Sequence, residues 1–245
     1  MSGAAPVSAL SVRSLRAGYG RGGDIVHGID LDQPPGTILA IIGPNGSGKS
    51  TFVKALAGLL RPRAGSIRVT GRDVTGLSAA RRVAAGIAYV PQEKNVFATL
   101  TVRENMQLAT EFLRRRAGTG PEQEARVLAL FPELAARART LAGNLSGGQR
   151  QMVAFAGALL ANPEVLILDE PSAGLSPRFV SETMEAIARV RAAGTSILLV
   201  EQNVRAALRI ADTVVVLVAG RKSLEASAGE IRPADLADLF FARAA

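Results

Sequence analysis

Gly43-Pro-Asn-Gly-Ser-Gly-Lys-Ser-Thr51 follows at once on Thr37-Ile-Leu-Ala-Ile-Ile42, and this junction decides the fold. The apolar, β-branched run reads as a short strand buried on both faces. The stretch beyond, Thr51–Leu60 (TFVKALAGLL), has helical spacing and ends near Gly58 and Pro62. A glycine-rich turn in that context is a phosphate cradle. Its glycines reach backbone angles closed to other residues, so its N–H groups can approach phosphate oxygens. The helix that follows points its N-terminal N–H groups at the same anion. The pattern G-x-x-x-x-G-K-[ST] is met by Gly43, Gly48, Lys49 and Ser50, with Pro44, Asn45, Gly46 and Ser47 inside it and Thr51 after it. Lys49 can reach the β- and γ-phosphates of ATP, and the Ser50 hydroxyl can coordinate Mg²⁺.

A second acidic site supports this reading. Val165-Leu-Ile-Leu-Asp-Glu170 is an apolar strand that ends in two carboxylates. A strand buried on both faces has no use for charges at its tip unless something binds there. Asp169 is the natural partner of Mg²⁺ and its water shell. Glu170 is placed to orient or deprotonate a water attacking the γ-phosphate.

Outward from these two sites the chain alternates. Leu10–Leu15, Ile25–Leu31, Ser66–Val69 and Ile87–Val90 read as strands, with a turn at Pro34-Pro35-Gly36. From about Asn95 to Gly157 the pattern is helical and arginine-rich. Thr101 and Glu104 form a capping box for a helix through Leu113. Gly118–Pro121 breaks the pattern, and Glu122–Phe131 is amphipathic. Ser146 and Gln149 have capping-box spacing before a helix to Leu160. Strand and helix then alternate again: Val165–Leu168, Pro177–Ala192, Ser196–Val200, Val204–Ile210 and Thr213–Val218. The expectation is one α/β domain, with a core of residues 1–93 and 159–245 and a helical insertion over 94–158.

Composition narrows the classes further. At 245 residues and 48% hydrophobic content the chain can bury a sizeable core. It has no cysteine, which excludes a disulfide scaffold and a thiolate metal site. The single His27 argues against a histidine metal site or a Ser–His–Asp triad. No apolar run approaches the roughly 20 residues that span a bilayer, and the N-terminus lacks the pattern of a signal peptide. The net charge is +8, but the longest basic run is Arg114–Arg116 and aromatics make up 4% of the chain. That is poor for stacking on bases, so nucleic acid is not an expected partner.

Leu145-Ser-Gly-Gly-Gln149 discriminates among ATPases. It opens a helix, so it too presents backbone N–H groups to an anion. It lies 97 residues after Lys49, counted at Ser146, and 23 before Asp169. Over essentially its whole length the chain resembles the nucleotide-binding subunit of ABC transporters. The resemblance implies a P-loop ATPase fold with a mixed or parallel sheet, an N-terminal antiparallel β-subdomain and a helical subdomain. It implies that Tyr19 stacks on adenine. It implies that Gln92 contacts Mg²⁺ and water and senses the membrane partner, and that Asn95–Met106 faces that partner. Ala173-Gly-Leu-Ser176 matches the family's dimer-contact loop. In that family two subunits sandwich two ATPs, so Leu145, Ser146, Gly147, Gly148 and Gln149 would serve a partner's nucleotide in a homo- or heterodimer. Transmembrane permeases, and through them a substrate-binding protein, are the implied partners. The implied location is peripheral, at the cytoplasmic face of the inner membrane.

Two positions depart from the family pattern. Gln202, in Val200-Glu-Gln-Asn203, stands where a histidine is usual, and Ser176 stands where aspartate is usual. A glutamine amide can hydrogen-bond a γ-phosphate but cannot exchange a proton, so acid–base work falls to Glu170. The strings Val200-Glu-Gln-Asn, Glu170-Pro-Ser-Ala-Gly-Leu-Ser-Pro and Leu130-Phe-Pro-Glu-Leu are similar to those of branched-chain amino acid importers, in particular the smaller of their two ATPases. The short tail after Gly220 agrees with this. Urea and short-amide importers look much alike, and lipid export and iron–sulfur assembly remain alternatives. An ATPase acting on DNA fits less well, because the interval between Lys49 and Ser146 leaves no room for a long coiled coil. One acting on ribosomes normally carries two cassettes in a chain.

Overall fold

The computed structural model describes residues 7–113, 120–232 and 236. The Arg114–Arg116 run, Gly118 and Thr119 of the break expected at Gly118–Pro121, and the first six residues lie outside the described residues. The chain opens with β1 (Leu10–Ala17), β2 (Val26–Gln33), β3 (Ile38–Ile42), α1 (Lys49–Ala57), β4 (Ala64–Val69), β5 (Arg72–Asp73), α2 (Ala79–Ala84) and β6 (Ile87–Val90). Among the described residues four α-helices follow before the next strand: α3 (Val102–Leu113), α4 (Pro121–Leu130), α5 (Pro132–Ala136) and α6 (Gly147–Leu159). The described elements continue with β7 (Val165–Asp169), α7 (Pro177–Ala192), β8 (Ser196–Val200), α8 (Val204–Leu208), β9 (Thr213–Val218) and β10 (Arg221–Ser227).

Two sheets form. The smaller is antiparallel, in the order β2-β1-β4-β5. The larger runs β10-β9-β3-β8-β7-β6, parallel throughout except for its edge strand β10. The continuous apolar runs occupy the centre of the larger sheet, where both faces are covered. Side-chain alternation divides each run between two cores. Leu39, Ile41, Ile167, Leu198, Val200, Val215 and Leu217 pack with α1 and the smaller sheet. Ile38, Ala40, Ile42, Leu166, Leu168, Ile197, Leu199, Val214 and Val216 pack with the helices on the opposite face. Because β3, β7 and β8 are parallel neighbours, their C-terminal ends lie side by side, which is where ligands collect in open α/β sheets.

The phosphate-loop helix is tied at its far end. Arg82, the one buried residue of α2, is 1% exposed and donates to the carbonyls of Ala55, Leu56, Leu77 and Thr75. Ala55 and Leu56 carry terminal carbonyls of α1, where a cation complements the helix dipole. Burial pulls the Arg82 guanidinium below its ordinary value, with Asp73 opposing. Its fixed charge therefore holds α1 in place from behind.

Candidate functional site

Helix α1 starts at Lys49 rather than Thr51, because Gly48 stands at its N-cap with φ 95 and ψ 2. That left-handed conformation suits glycine and no larger residue without strain. No side chain caps this end, and its first turn carries no acidic residue. The first-turn N–H groups, which have no intrahelical acceptor, therefore face the loop unclaimed. Gly220 N–H donates to the Ser47 carbonyl at 3.0 Å, which seats the loop against the turn after β9. Lys49 is 5% exposed, and its Nζ donates to the carbonyls of Gly43 at 2.8 Å and Pro44 at 3.1 Å. Burial lowers the Lys49 pKa, while Glu170 and Asp169 push it back up. The three charges thus lie within electrostatic reach of one another. Ser50 is exposed beside the loop and Thr51 is buried. Pro44, Asn45 and Gly46 form the partly open lip of the loop.

The carboxylates at the end of β7 are both 6% exposed. Tyr89 Oη donates to Asp169 Oδ2 at 3.0 Å. Asp169 Oδ1 is buried and accepts no hydrogen bond. Burial raises the Asp169 pKa, with Glu170 adding to the rise and Tyr89, Lys54 and Lys49 opposing it. A buried oxygen acceptor without a donor fits a hard divalent cation, as does the exposed Ser50 hydroxyl at the start of α1. Asp169 and Ser50 are thus the residues suited to hold Mg²⁺. Gln92 lies exposed beyond β6, and no hydrogen bond joins it to Asp169 or Lys49. Glu170 adopts φ 48, a conformation uncommon for non-glycine residues and often found at functional sites. Gln202 Nε2 donates to both of its carboxylate oxygens, at 2.9 and 2.8 Å. The neutral amide that replaces the usual histidine therefore engages the candidate base directly.

Tyr19 sits in the loop after β1, 47% exposed. Arg63 donates to the Tyr19 and Gly20 carbonyls and pairs with Asp24, as does Arg16. The loop is thereby fixed while the ring stays free, with Lys54 Nζ 6.0 Å from its centroid. The Leu145–Gln149 segment opens α6 with both halves of the capping box formed. Ser146 Oγ accepts from Gln149 N, and Gln149 Oε1 accepts from Ser146 N. This satisfies two of the N–H groups the sequence offered to an anion and leaves those of Gly147 and Gly148.

Further polar residues around the site carry no motif in the sequence. Tyr89 orients Asp169. Asn95 Nδ2 donates to Gln151 Oε1 at 2.8 Å, and Gln151 Nε2 donates to the Pro171 carbonyl at 3.1 Å. Glu201 is 1% exposed and accepts from Ser172 N and Oγ and from the N–H groups of Gln202 and Asn203. Like Asp169 and Glu170, Glu201 is a charge at the tip of a doubly buried strand, directly after Val200, and that pattern is a signal the sequence does carry.

Known proteins agree with this geometry. The family model described as ABC transporter matches residues 26–173. The chain is 43% identical over 228 residues to a probable branched-chain amino acid transport ATP-binding protein LivF of Archaeoglobus fulgidus, covering 91% of this chain and 93% of that one. It superposes on a nucleotide-free ATP-binding cassette from an ABC transporter with a TM-score of 0.80 and 26% identity, over 90% of this chain and 91% of the other. A dimeric cassette in a post-hydrolysis state with ADP and Pi gives a TM-score of 0.76 at 25% identity, over 89% and 98% of the two chains. The chain belongs to the ABC transporter family and is one of its ATP-binding ATPases.

Proposed function

We propose that this chain hydrolyses Mg²⁺-bound ATP to drive an importer of branched-chain amino acids or related amides. One observation carries the reading: buried Lys49 shares its site with Asp169 and Glu170 beside the uncapped N-terminus of α1. The Gly43–Thr51 backbone and Lys49 hold the β- and γ-phosphates, and Tyr19 stacks on the adenine. Asp169, Ser50 and Gln92 hold Mg²⁺, which neutralises phosphate charge when bound. Glu170 orients the attacking water and accepts its proton, and Gln202 hydrogen-bonds Glu170 and the γ-phosphate in turn. Leu145–Gln149 of a second cassette completes the site, chiefly through Gly147 and Gly148 N–H. Residues 94–158 act as the subdomain that meets the permeases, with 1–93 and 159–245 as the catalytic core. The chain then sits peripherally at the cytoplasmic face of the inner membrane. The substrate class rests on likeness to LivF, together with the Val200-Glu-Gln-Asn203 string.

Lys49→Ala tests the reading. Loss of the ammonium removes the charge that faces the phosphates, so turnover drops at least about 100-fold and ATP binding weakens. Full ATPase activity in the purified variant overturns the assignment. Uptake assays with the cognate permeases, using leucine, urea, short amides and a lipid-export control, separate the substrate classes.

A further inference from the structure

Glu201 is a buried carboxylate to which the reaction above gives no task. It follows β8 directly, and its own N–H donates to the Ile41 carbonyl at 3.1 Å, which anchors it beside β3. Its side chain reaches across to the turn after β7. Oε1 accepts from Ser172 N at 3.0 Å, and Oε2 accepts from Ser172 Oγ at 2.9 Å. Oε2 also accepts from Gln202 N and Asn203 N, both at 3.2 Å. Three of these donors are backbone N–H groups, which cannot turn round to accept, so the set suits an ionised carboxylate. Ser172 lies two residues beyond Glu170, and Gln202 is the next residue after Glu201. One buried side chain thus joins the two loops that carry the Glu170–Gln202 pair. The Ser172 turn is also held from the other side, where Gln151 of α6 donates to Pro171 O.

We propose that Glu201, through Ser172, is a positioning residue for hydrolysis that fixes the separation of Glu170 from Gln202. The proposal rests on the ATPase reading. The β7–β8 ladder extends as far as the Glu170 N–H, which donates to the Val200 carbonyl at 2.9 Å, but that bond holds the backbone and not the loops beyond it. A carboxylate bonded to both loops holds them. If the latch opens, the ladder still holds the Glu170 backbone, but the loop that carries Gln202 is no longer tied to the turn after Glu170, and the side-chain pair loses its geometry. The phosphate loop, bonded to neither Glu201 nor Ser172, is untouched.

The test measures kcat, KM for ATP and binding of a fluorescent ATP analogue for the full-length chain. In Glu201→Gln, an amide NH₂ is turned towards N–H donors, and kcat falls about 10- to 100-fold while KM and nucleotide binding stay within about twofold. Ser172→Ala removes one hydroxyl bond and gives a smaller fall of the same kind; Ser172→Thr, which keeps the hydroxyl, restores most of it. Ser172→Ala combined with Gln202→Ala is no slower than Gln202→Ala alone, because both act on one pair. Unchanged kcat in Ser172→Ala, a KM rising as kcat falls, or strictly additive effects overturns the latch. Should Glu201→Gln not fold, the Ser172 series decides the question by itself. Lys49→Ala and Glu170→Gln run alongside. If they retain activity, the ATPase reading has failed; if they lose it while Ser172→Ala does not, only the latch has.

Discussion

The two carboxylates that end β7 are neighbours in sequence and are handled in opposite ways. Glu170 has both oxygens engaged by Gln202, whereas Asp169 has one oxygen on Tyr89 and one with no donor. The latter is a standing cost in the protein without metal. Burial raises the Asp169 pKa above its ordinary value, so the folded state binds a proton more readily than the unfolded chain does. Ionised Asp169 therefore opposes folding above the raised pKa, and that cost is relieved as the pH falls through it. Asp169→Asn removes the charge and keeps an acceptor for Tyr89. In chelator, at neutral pH, the variant melts at a higher temperature than wild type, and the gap narrows as the pH is lowered towards 4, the region of a free carboxylate. At this chain length each kcal/mol is worth roughly 2–4 °C. Magnesium-dependent hydrolysis in the same variant falls at least about 100-fold. A variant that melts lower than wild type in chelator contradicts the account of Asp169, whatever its activity.

At the scale of elements, the start of α6 shows how closely the helix after Leu145 is built onto α7. A Cβ on Gly147 would lie 2.8 Å from Leu175 Cδ2, the free end of a flexible side chain. A Cβ on Gly148 would lie 2.9, 3.3 and 3.4 Å from Cδ1, Cγ and Cβ of Phe179, so the root of the ring is blocked as well as its edge. Alanine in a helix is normally favoured over glycine by about 1 kcal/mol. Gly147→Ala is accordingly near neutral in stability, since Leu175 can rotate away. Gly148→Ala costs roughly 1–3 kcal/mol, the range for overpacking, and thermal melts of the pair check the difference. Equal melting temperatures would mean that Phe179 yields as easily as Leu175. The same contrast explains what was legible in the sequence. Strands β3, β7, β8 and β9 announce themselves because both faces are buried, and α7 is bounded by Pro177 as expected. Helix α2 gives no apolar signal because its core-facing residue is an arginine. Strand β10 (RKSLEAS) is a largely exposed edge whose existence depends on its pairing with β9. The phosphate loop could be read because its function demands glycine and lysine at fixed spacing. The Glu201–Ser172 contact joins residues 29 positions apart through a sheet order that no local pattern states.

At the scale of the whole molecule, the helix N-termini of the two glycine-rich motifs are prepared differently. That of α1 is uncapped and adjoins Lys49; that of α6 has closed its capping box and keeps Gly147 and Gly148 N–H to offer. Among the described residues, no hydrogen bond or ion pair joins 145–149 to the phosphate loop, and α6 lies in the helical stretch between β6 and β7. On the proposed reading one chain cradles a nucleotide from the side of its phosphate loop, and a second cassette supplies the other side. ATP is then the adhesive of the dimer, and its hydrolysis is what parts the subunits. Holding ATP uncleaved should hold the dimer. Glu170→Gln keeps the size of the side chain and removes the base, while Lys49, Asp169 and the loop glycines still bind. With ATP and Mg²⁺ this variant should elute at twice the monomer mass, alone or mixed with the second ATPase of its system. With ADP it should run as a monomer, and adding Lys49→Ala should abolish the ATP-dependent shift. Light scattering on the eluted peak distinguishes the two masses directly. A Glu170→Gln chain that binds ATP yet stays monomeric in both the single and the mixed sample would refute the composite site while leaving the phosphate cradle intact.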